Sequence, residues 1–407
     1  MRILMISSTF PYPPSRGGTE IRTFNLLQHL QSNHQVTVAT QRHKDVSEEE
    51  VNALGDRVYD LRLFDLAPDP SQSGLLAPVG KVRRFAASLA SGTPPNVLHR
   101  YSPAMQHWID QQVEANTFDA ITCEHSVNAV YIRPSYQRSV RTVLNAHSLI
   151  YNWVINHLDM NASDYAWRDR LYLSTIERYE KRYAAQFSNV VVTTSDDQVA
   201  LQRICPDVTS TIVSNGVDLN LFPLRQRDPN GYKLVFVGAM DSSHNVDAVR
   251  FFVRDVMPAL QADYPQTTFT IVGARPSAEV LELARYPGVQ VTGKVDSMAQ
   301  YLHEAVICVV PLRAGFGIKN KTLEAMAAGV PVVGSDRGLE GLSADEPHCP
   351  LRALRANQPQ EYVAAICRLF ESPELRAKLS TEGRSLVETT YTWEQVGRAY
   401  EKVLATS

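Results

Sequence analysis

Cysteine is scarce in this sequence, five in 407 residues, at positions 123, 205, 308, 349 and 367. They are scattered, with no Cys-x-x-Cys pair, which points to reduced thiols rather than a disulfide framework or a zinc site. Neither sign of charge dominates. The formal net charge is -3, so no basic excess argues for a nucleic-acid partner. No apolar stretch approaches the roughly 20 residues of a membrane span. The N-terminus, MRILMISSTFPYPP, has a short apolar run and then prolines. It lacks the long apolar region and small-residue cleavage site of a signal peptide, and it reads as a first core strand. A cytoplasmic protein is expected. One basic amphipathic stretch, residues 81–87 (KVRRFAA), leaves open a peripheral contact with anionic lipid at the inner membrane face. The plainer reading is a solvated helix packed by Val82, Phe85 and Leu89.

The length is too great for one ordinary core, and two domains of roughly 200 residues each are expected. The most informative stretch is 306–342. Residues 306–310 (VICVV) read as a fully buried parallel strand. A turn with Gly315, Phe316, Gly317 and Ile318 follows, then Lys319, Asn320, Lys321 and Thr322. Residues 323–328 (LEAMAA) have strong helix propensity, Gly329 stops the helix, and 330–333 (VPVV) read as the next strand. Such a unit sets a helix N-terminus at the carboxyl edge of a parallel sheet, where free N–H groups favour an anion. Lys319 and Lys321 add positive charge there. Glu324, one turn further in, is placed to accept from ribose hydroxyls. The plainer alternative is a solvated helix start, because the Gly-x-Gly-x-x-Gly fingerprint is not completed: Asn320 stands at its third glycine.

Other strands end in the same way. Residues 2–8 run into a turn with Gly17 and Gly18, flanked by Arg16 and Arg22, before a helix with Ile21, Phe24, Leu27 and Leu30 at helical spacing. Residues 118–124 (FDAITCE) end at Glu124 and His125, and 141–144 (RTVL) end at Asn145, Ala146, His147 and Ser148. A histidine at a strand's carboxyl end in a doubly wound fold points at the ligand crevice. Ser195 reads as a helix N-cap after the strand 190–194. The polar run 225–231 reads as the linker. Beyond it, 233–238 (KLVFVG) is a strand into a glycine turn, and Asn245 is either the N-cap of the next helix or a site residue. That helix carries Val246, Val249, Phe252, Val253, Val256 and Leu260 on one side. Glycines at 238, 273, 293 and 317 repeat a strand-then-glycine pattern, the edge of a Rossmann-like sheet.

The stretch Gly315-Phe316-Gly317, then Leu323-Glu324-Ala325-Met326-Ala327, Gly329 and Pro331-Val332-Val333 resembles the nucleotide-sugar site of the retaining glycosyltransferases of family 4. It is similar to the branch reading Pro-Leu-Arg-x-Gly-x-Gly-x-x-x-Lys-x-Leu-Glu, with Pro311, Arg313 and Lys321 in place. Phe316 stands where many relatives carry the first Glu of a Glu-x7-Glu pair. The resemblance implies an α/β chain of the GT-B fold, two Rossmann-like doubly wound domains facing across a cleft. Residues 1–213 would form the acceptor-side domain, with about 391–407 packing back on it, and 214–390 the nucleotide-sugar domain. Further likenesses are the Gly17-Gly18 turn, His147 as an active-site histidine, and Glu177 with Tyr179 and Tyr183 on a helix. Others are Asn215-Gly216-Val217-Asp218 at the domain junction, and Gly293, Lys294 and Val295 at the base.

The function implied is transfer of a sugar from a nucleotide sugar, UDP-sugar favoured, to an unknown glycan, lipid-linked or small-molecule acceptor, with anomeric configuration retained. Residues with chemical roles would be His147, Lys321 and Glu324. Gly238, Asn245, His244 and Arg313 would help at the phosphates. There is no Asp-x-Asp motif, so no cofactor and no obligatory metal are expected. A nucleotide-sugar 2-epimerase and a non-catalytic subunit are the alternatives.

Overall fold

The computed structural model describes residues 1–14, 17–66, 88, 91–147, 149–159, 166–315 and 317–406. Arg16, Leu89, Ser148, Phe316 and the basic stretch 81–87 lie outside the described residues. The chain forms two compact units. One is Met1–Ser214 together with Val396–Ser407, and the other is Asn215–Gln395.

The first unit is built on β1 (Arg2–Ser7), β2 (Gln35–Arg42), β3 (Asp60–Asp65), β4 (Ala120–Glu124), β5 (Arg141–Asn145), β6 (Asn189–Val192) and β7 (Ser210–Ile212). They form one sheet in the order β3-β2-β1-β4-β5-β6-β7, and every pairing is parallel. Parallel strands covered on both faces must be apolar throughout, and β1 is: Ile3, Leu4, Met5 and Ile6 have no exposed surface. The last helix, Trp393–Ala405, contributes Val396 onward to this unit. Glu401 accepts from His34 Nε2 at 2.7 Å and His29 Nε2 at 3.2 Å, and Arg141 Nε donates to the Val403 carbonyl at 2.7 Å.

The second unit holds β8 (Lys233–Val237), β9 (Thr268–Val272), β10 (Val289–Val291), β11 (Ile307–Val310), β12 (Val332–Gly334) and β13 (Leu354–Arg355). Their order is β10-β9-β8-β11-β12-β13, again all parallel. The amphipathic stretch read at 246–260 is one continuous helical run. It is α-helical over Ser243–Phe251, makes a π turn at Phe252–Val256, and resumes as α-helix at Met257–Asp263. Pro258 explains the π turn, since its ring and missing N–H do not fit an unbroken i→i−4 ladder.

The run 225–231 is not a free linker. Arg225 donates from NH1 to the Ala305 carbonyl at 2.9 Å and from its backbone N–H to Ala328 at 3.1 Å. Its partner Asp228 also accepts from Arg376 Nε at 2.7 Å. These side chains anchor the segment on the second unit. No helix among the described residues is long and apolar enough to cross a membrane.

Candidate active site

In each sheet the strand order reverses at one place, between β1 and β4 and between β8 and β11. Loops leaving the carboxyl ends there diverge and open a crevice.

In the second unit this edge carries Gly238, Asn245, Lys321 and Glu324. Gly238 has φ +155°, and a Cβ on it would lie 2.8 Å from Lys321 Nζ and 3.0 Å from Asn245 Nδ2. The positive φ favours glycine, and a side chain there would push the Lys321 ammonium from its place. Lys321 sits in the first turn of the helix Asn320–Ala327, which begins three residues earlier than its Leu/Ala/Met run suggests. Its ammonium donates to Asn245 Oδ1 at 2.5 Å and lies 4.0 Å from the centre of the Phe236 ring. Asn245 Nδ2 in turn donates to the Ala239 carbonyl at 2.8 Å. Asn245 is therefore not the N-cap. Ser242 holds that position, and Asn245 is spent on fixing Lys321. Burial pushes the Lys321 pKa down to about 7, against the pull of Glu324. Burial also pushes Glu324 up to about 7, and Lys321 opposes it. No hydrogen bond reaches the Glu324 carboxylate among the described residues.

The other cations of the stretch are differently engaged. Lys319 is buried, and Nζ donates to the Gly317 carbonyl and, at 3.1 Å, to Glu340 Oε2. Arg337 lies 3.6 Å from the other oxygen of Glu340. Lys319 thus has its charge balanced inside the protein and ties the glycine turn to the segment after β12. Arg313 pairs with Asp247, Nε to Oδ2 at 2.9 Å, and lies over the Phe251 ring. His244 Nδ1 is 2.9 Å from Ser242 Oγ. Gly315 and Gly317 have φ +102° and +71°, and Ile318 is buried in the core. Gly293 (φ +73°) follows β10, two strands over from β8, with Lys294 exposed and Val295 packed on the core.

In the first unit the reversal gathers a buried polar network around Glu124, which has no exposed surface. Its Oε1 accepts from Thr122 Oγ1 at 2.9 Å and Tyr400 OH at 3.0 Å. Its Oε2 accepts from Asn145 Nδ2 at 2.6 Å and His147 Nε2 at 3.3 Å. Burial alone would raise the Glu124 pKa. The bonds from His147 and Thr122 and the charge of Arg22 outweigh it and hold the carboxyl below its ordinary value. His147 takes a left-handed backbone, φ +53°, just past β5. Burial lowers its pKa, against the bond to Glu124. His125 (φ +75°) lies with its ring centre 5.6 Å away and is pushed down to about 3 by burial and by His147. Both imidazoles are neutral at pH 7.

Several residues here differ from the expectation. Arg22, read as a flanking arginine, is 2 % exposed. It donates to Asn145 Oδ1 at 3.0 Å, Ser214 O at 2.6 Å and Val213 O at 2.8 Å. Glu177 is exposed, and the buried carboxylate of that helix is Glu180. Glu180 accepts from Ile150 N at 2.6 Å, capping the helix after His147. The cap before Ser195 is Thr194, whose hydroxyl accepts from Asp197 N at 3.1 Å. Gly17 is an extended N-cap and Gly18 the first residue of the helix Gly18–Gln31. Arg22, Glu180, Glu340 and Tyr400 each stand alone in sequence, with no local pattern to single them out. Among the described residues no group of three or more His, Cys, Asp or Glu is arranged to hold a metal ion.

Comparison with known proteins agrees with this architecture. Residues 16–221, half of the chain, match the model of glycosyltransferase family 4. Residues 231–372 match the model for glycosyl transferases group 1. A mannosyltransferase of Mycolicibacterium hassiacum, MMP alpha-(1->4)-mannosyltransferase, is 30% identical over 116 residues. That match takes in 27% of this chain and 28% of the relative, little more than a quarter of its length. Sucrose-phosphate synthase from Thermosynechococcus elongatus superposes with TM-score 0.67 at 21% identity, covering 100% of both chains. HepE of Anabaena in complex with UDP and glucose gives 0.64 at 15%, covering 100% of this chain and 99% of its own. TarM of S. aureus, in complex with UDP among other ligands, gives 0.67 at 11%, covering 100% of both. These structures share the GT-B fold of two parallel-sheet α/β domains. The chain belongs to glycosyltransferase family 4.

Proposed function

We propose that this chain transfers a sugar from a nucleotide-diphosphate sugar, UDP-sugar favoured, to a hydroxyl acceptor, with anomeric configuration retained. The observation that carries the reading is Lys321, fixed by Asn245 over Gly238 at a helix N-terminus on the β8/β11 edge. A diphosphate there meets an ammonium and free backbone N–H groups. Glu324, whose carboxylate lacks a hydrogen bond within the described protein, accepts from the ribose hydroxyls. Support comes from the UDP bound by HepE and TarM. In the chemical step the departing diphosphate oxygen takes the acceptor's proton as the acceptor oxygen bonds to the anomeric carbon on the same face. No enzyme nucleophile is needed, and His147 orients the reacting sugar. A thermal-shift panel of nucleotide sugars tests the donor, since a ligand bound by the folded state alone raises its Tm. No shift with any of them would overturn the reading.

Turnover is expected to persist in EDTA, because Lys321 and the helix N-terminus supply the positive charge at the leaving group. Loss on chelation, restored by Mg²⁺ or Mn²⁺, would refute metal independence. Donor affinity should also fall as pH rises through about 7. Lys321 loses its proton there and Glu324 gains its negative charge, and both changes oppose an anion. Calorimetry between pH 6 and 9 with the intact nucleotide sugar checks this, and a flat profile contradicts it. His147→Ala should lower kcat and kcat/KM together while the Kd of the free nucleoside diphosphate stays constant. Normal turnover of the folded variant would remove His147 from the chemistry.

A further inference from the structure

We infer that Glu124 is a positioning residue that fixes His147 as its Nε2–H tautomer and so presents Nδ1 to the substrate as a hydrogen-bond acceptor. The inference rests on the proposal that His147 touches the reacting sugar. Nothing in the sugar-transfer reading itself says which nitrogen does so.

The geometry decides it. An ionised carboxylate only accepts hydrogen bonds. Glu124 is fully buried and takes four, from Thr122, Tyr400, Asn145 and His147. The bonds from His147 and Thr122, with the charge of Arg22, favour its ionised form against burial, and Arg22 itself holds Asn145 Oδ1. A neutral imidazole has one N–H, so the nitrogen facing Glu124 carries it and the other offers a lone pair. Nδ1 of His147 has no hydrogen bond among the described residues, and the side chain is 8% exposed. The backbone is held as well. Thr193 Oγ1 donates to the His147 carbonyl at 3.4 Å, and Glu180 caps the helix that starts three residues later. One ring nitrogen is therefore held by Glu124, and the other makes no hydrogen bond among the described residues.

The consequence is chemical. A His147 of this tautomer accepts from a sugar hydroxyl and cannot donate to it. The ring then selects a donor sugar that carries an O–H at that position, and a deoxy or O-methyl analogue is disfavoured. Partners that orient metal-bound histidines contribute about 10- to 100-fold to activity, and the same order is expected where the partner fixes a tautomer.

The test begins with ¹⁵N-histidine NMR of the whole protein, with His147 assigned by comparison with His147→Gln. The expected pattern is protonated Nε2 and bare Nδ1, and the opposite tautomer in the wild type would overturn the inference. Glu124→Gln keeps the shape but brings an NH₂ that favours the other tautomer. A mixed or inverted tautomer is expected, with kcat down about 10- to 100-fold and KM nearly unchanged. Wild-type kcat in a folded Glu124→Gln protein would overturn the inference too. If that variant does not fold, the wild-type spectrum alone still decides. Failure of the underlying reading looks different: normal turnover in His147→Gln, whatever the tautomer.

Discussion

Replacing Lys321 with Met should weaken nucleoside diphosphate binding by about 1.5–3 kcal/mol, or roughly 10- to 100-fold in Kd, with little change in melting temperature. Methionine keeps an apolar stem over Phe236 and removes only the ammonium. Two opposing terms then nearly cancel in the folded protein. The variant loses the bond to Asn245 but no longer buries a charge whose pKa burial has already lowered. A net change under about 1 kcal/mol corresponds to a shift within about 2–4 °C. In the complex nothing cancels, because the diphosphate loses its charge-assisted partner. Lys319→Met is the useful contrast. Its ammonium is matched by Glu340, so removal strands a buried carboxylate, and stability should fall more than affinity. Equal Kd for wild type and Lys321→Met by calorimetry would take Lys321 out of the site.

Arg22→Met should cost the first unit about 3–5 kcal/mol, since it breaks a buried charge network on one side only. The guanidinium is sealed from solvent and satisfies Asn145 and the carbonyls of Val213 and Ser214. Without it Glu124 keeps its buried negative charge and loses the charge of Arg22 that helps to offset it. The expected fall in the unit's Tm is roughly 6–20 °C. Three of the four tryptophans, at 108, 153 and 167, belong to this unit, so intrinsic fluorescence follows its unfolding. A loss under about 1 kcal/mol would mean that water reaches the Arg22 pocket and that the network is not sealed.

Much of the fold could be read in advance because it rests on local rules. Parallel strands buried on both faces must be runs of apolar residues, and 306–310 and 233–237 are such runs. A helix packed on one side repeats its apolar positions, and Val249, Phe252, Val253, Val256 and Leu260 are all buried. The glycine after β8 also announced itself, because a strand-to-helix turn with a close approach tolerates little else. Those signals marked the sheet edge, and with it Lys321, Glu324 and His147.

What the sequence could not supply was the partner of each polar side chain. Lys319 and Lys321 are two residues apart and look alike, yet one faces Glu340 and the other Asn245. A helix turns by about 100° per residue, so neighbours in the first turn point in different directions, and only the packed segments decide what each meets. Arg22 and Tyr400 are nearly the whole chain apart and act on one carboxylate, Tyr400 through a hydrogen bond and Arg22 through its charge. No spacing encodes such a meeting. Local chemistry determined the strands, the helices and the edge where the strands give way to glycine turns. The tertiary structure alone decided which charges are neutralised inside and by which partner, because that depends on burial and on contacts between distant segments.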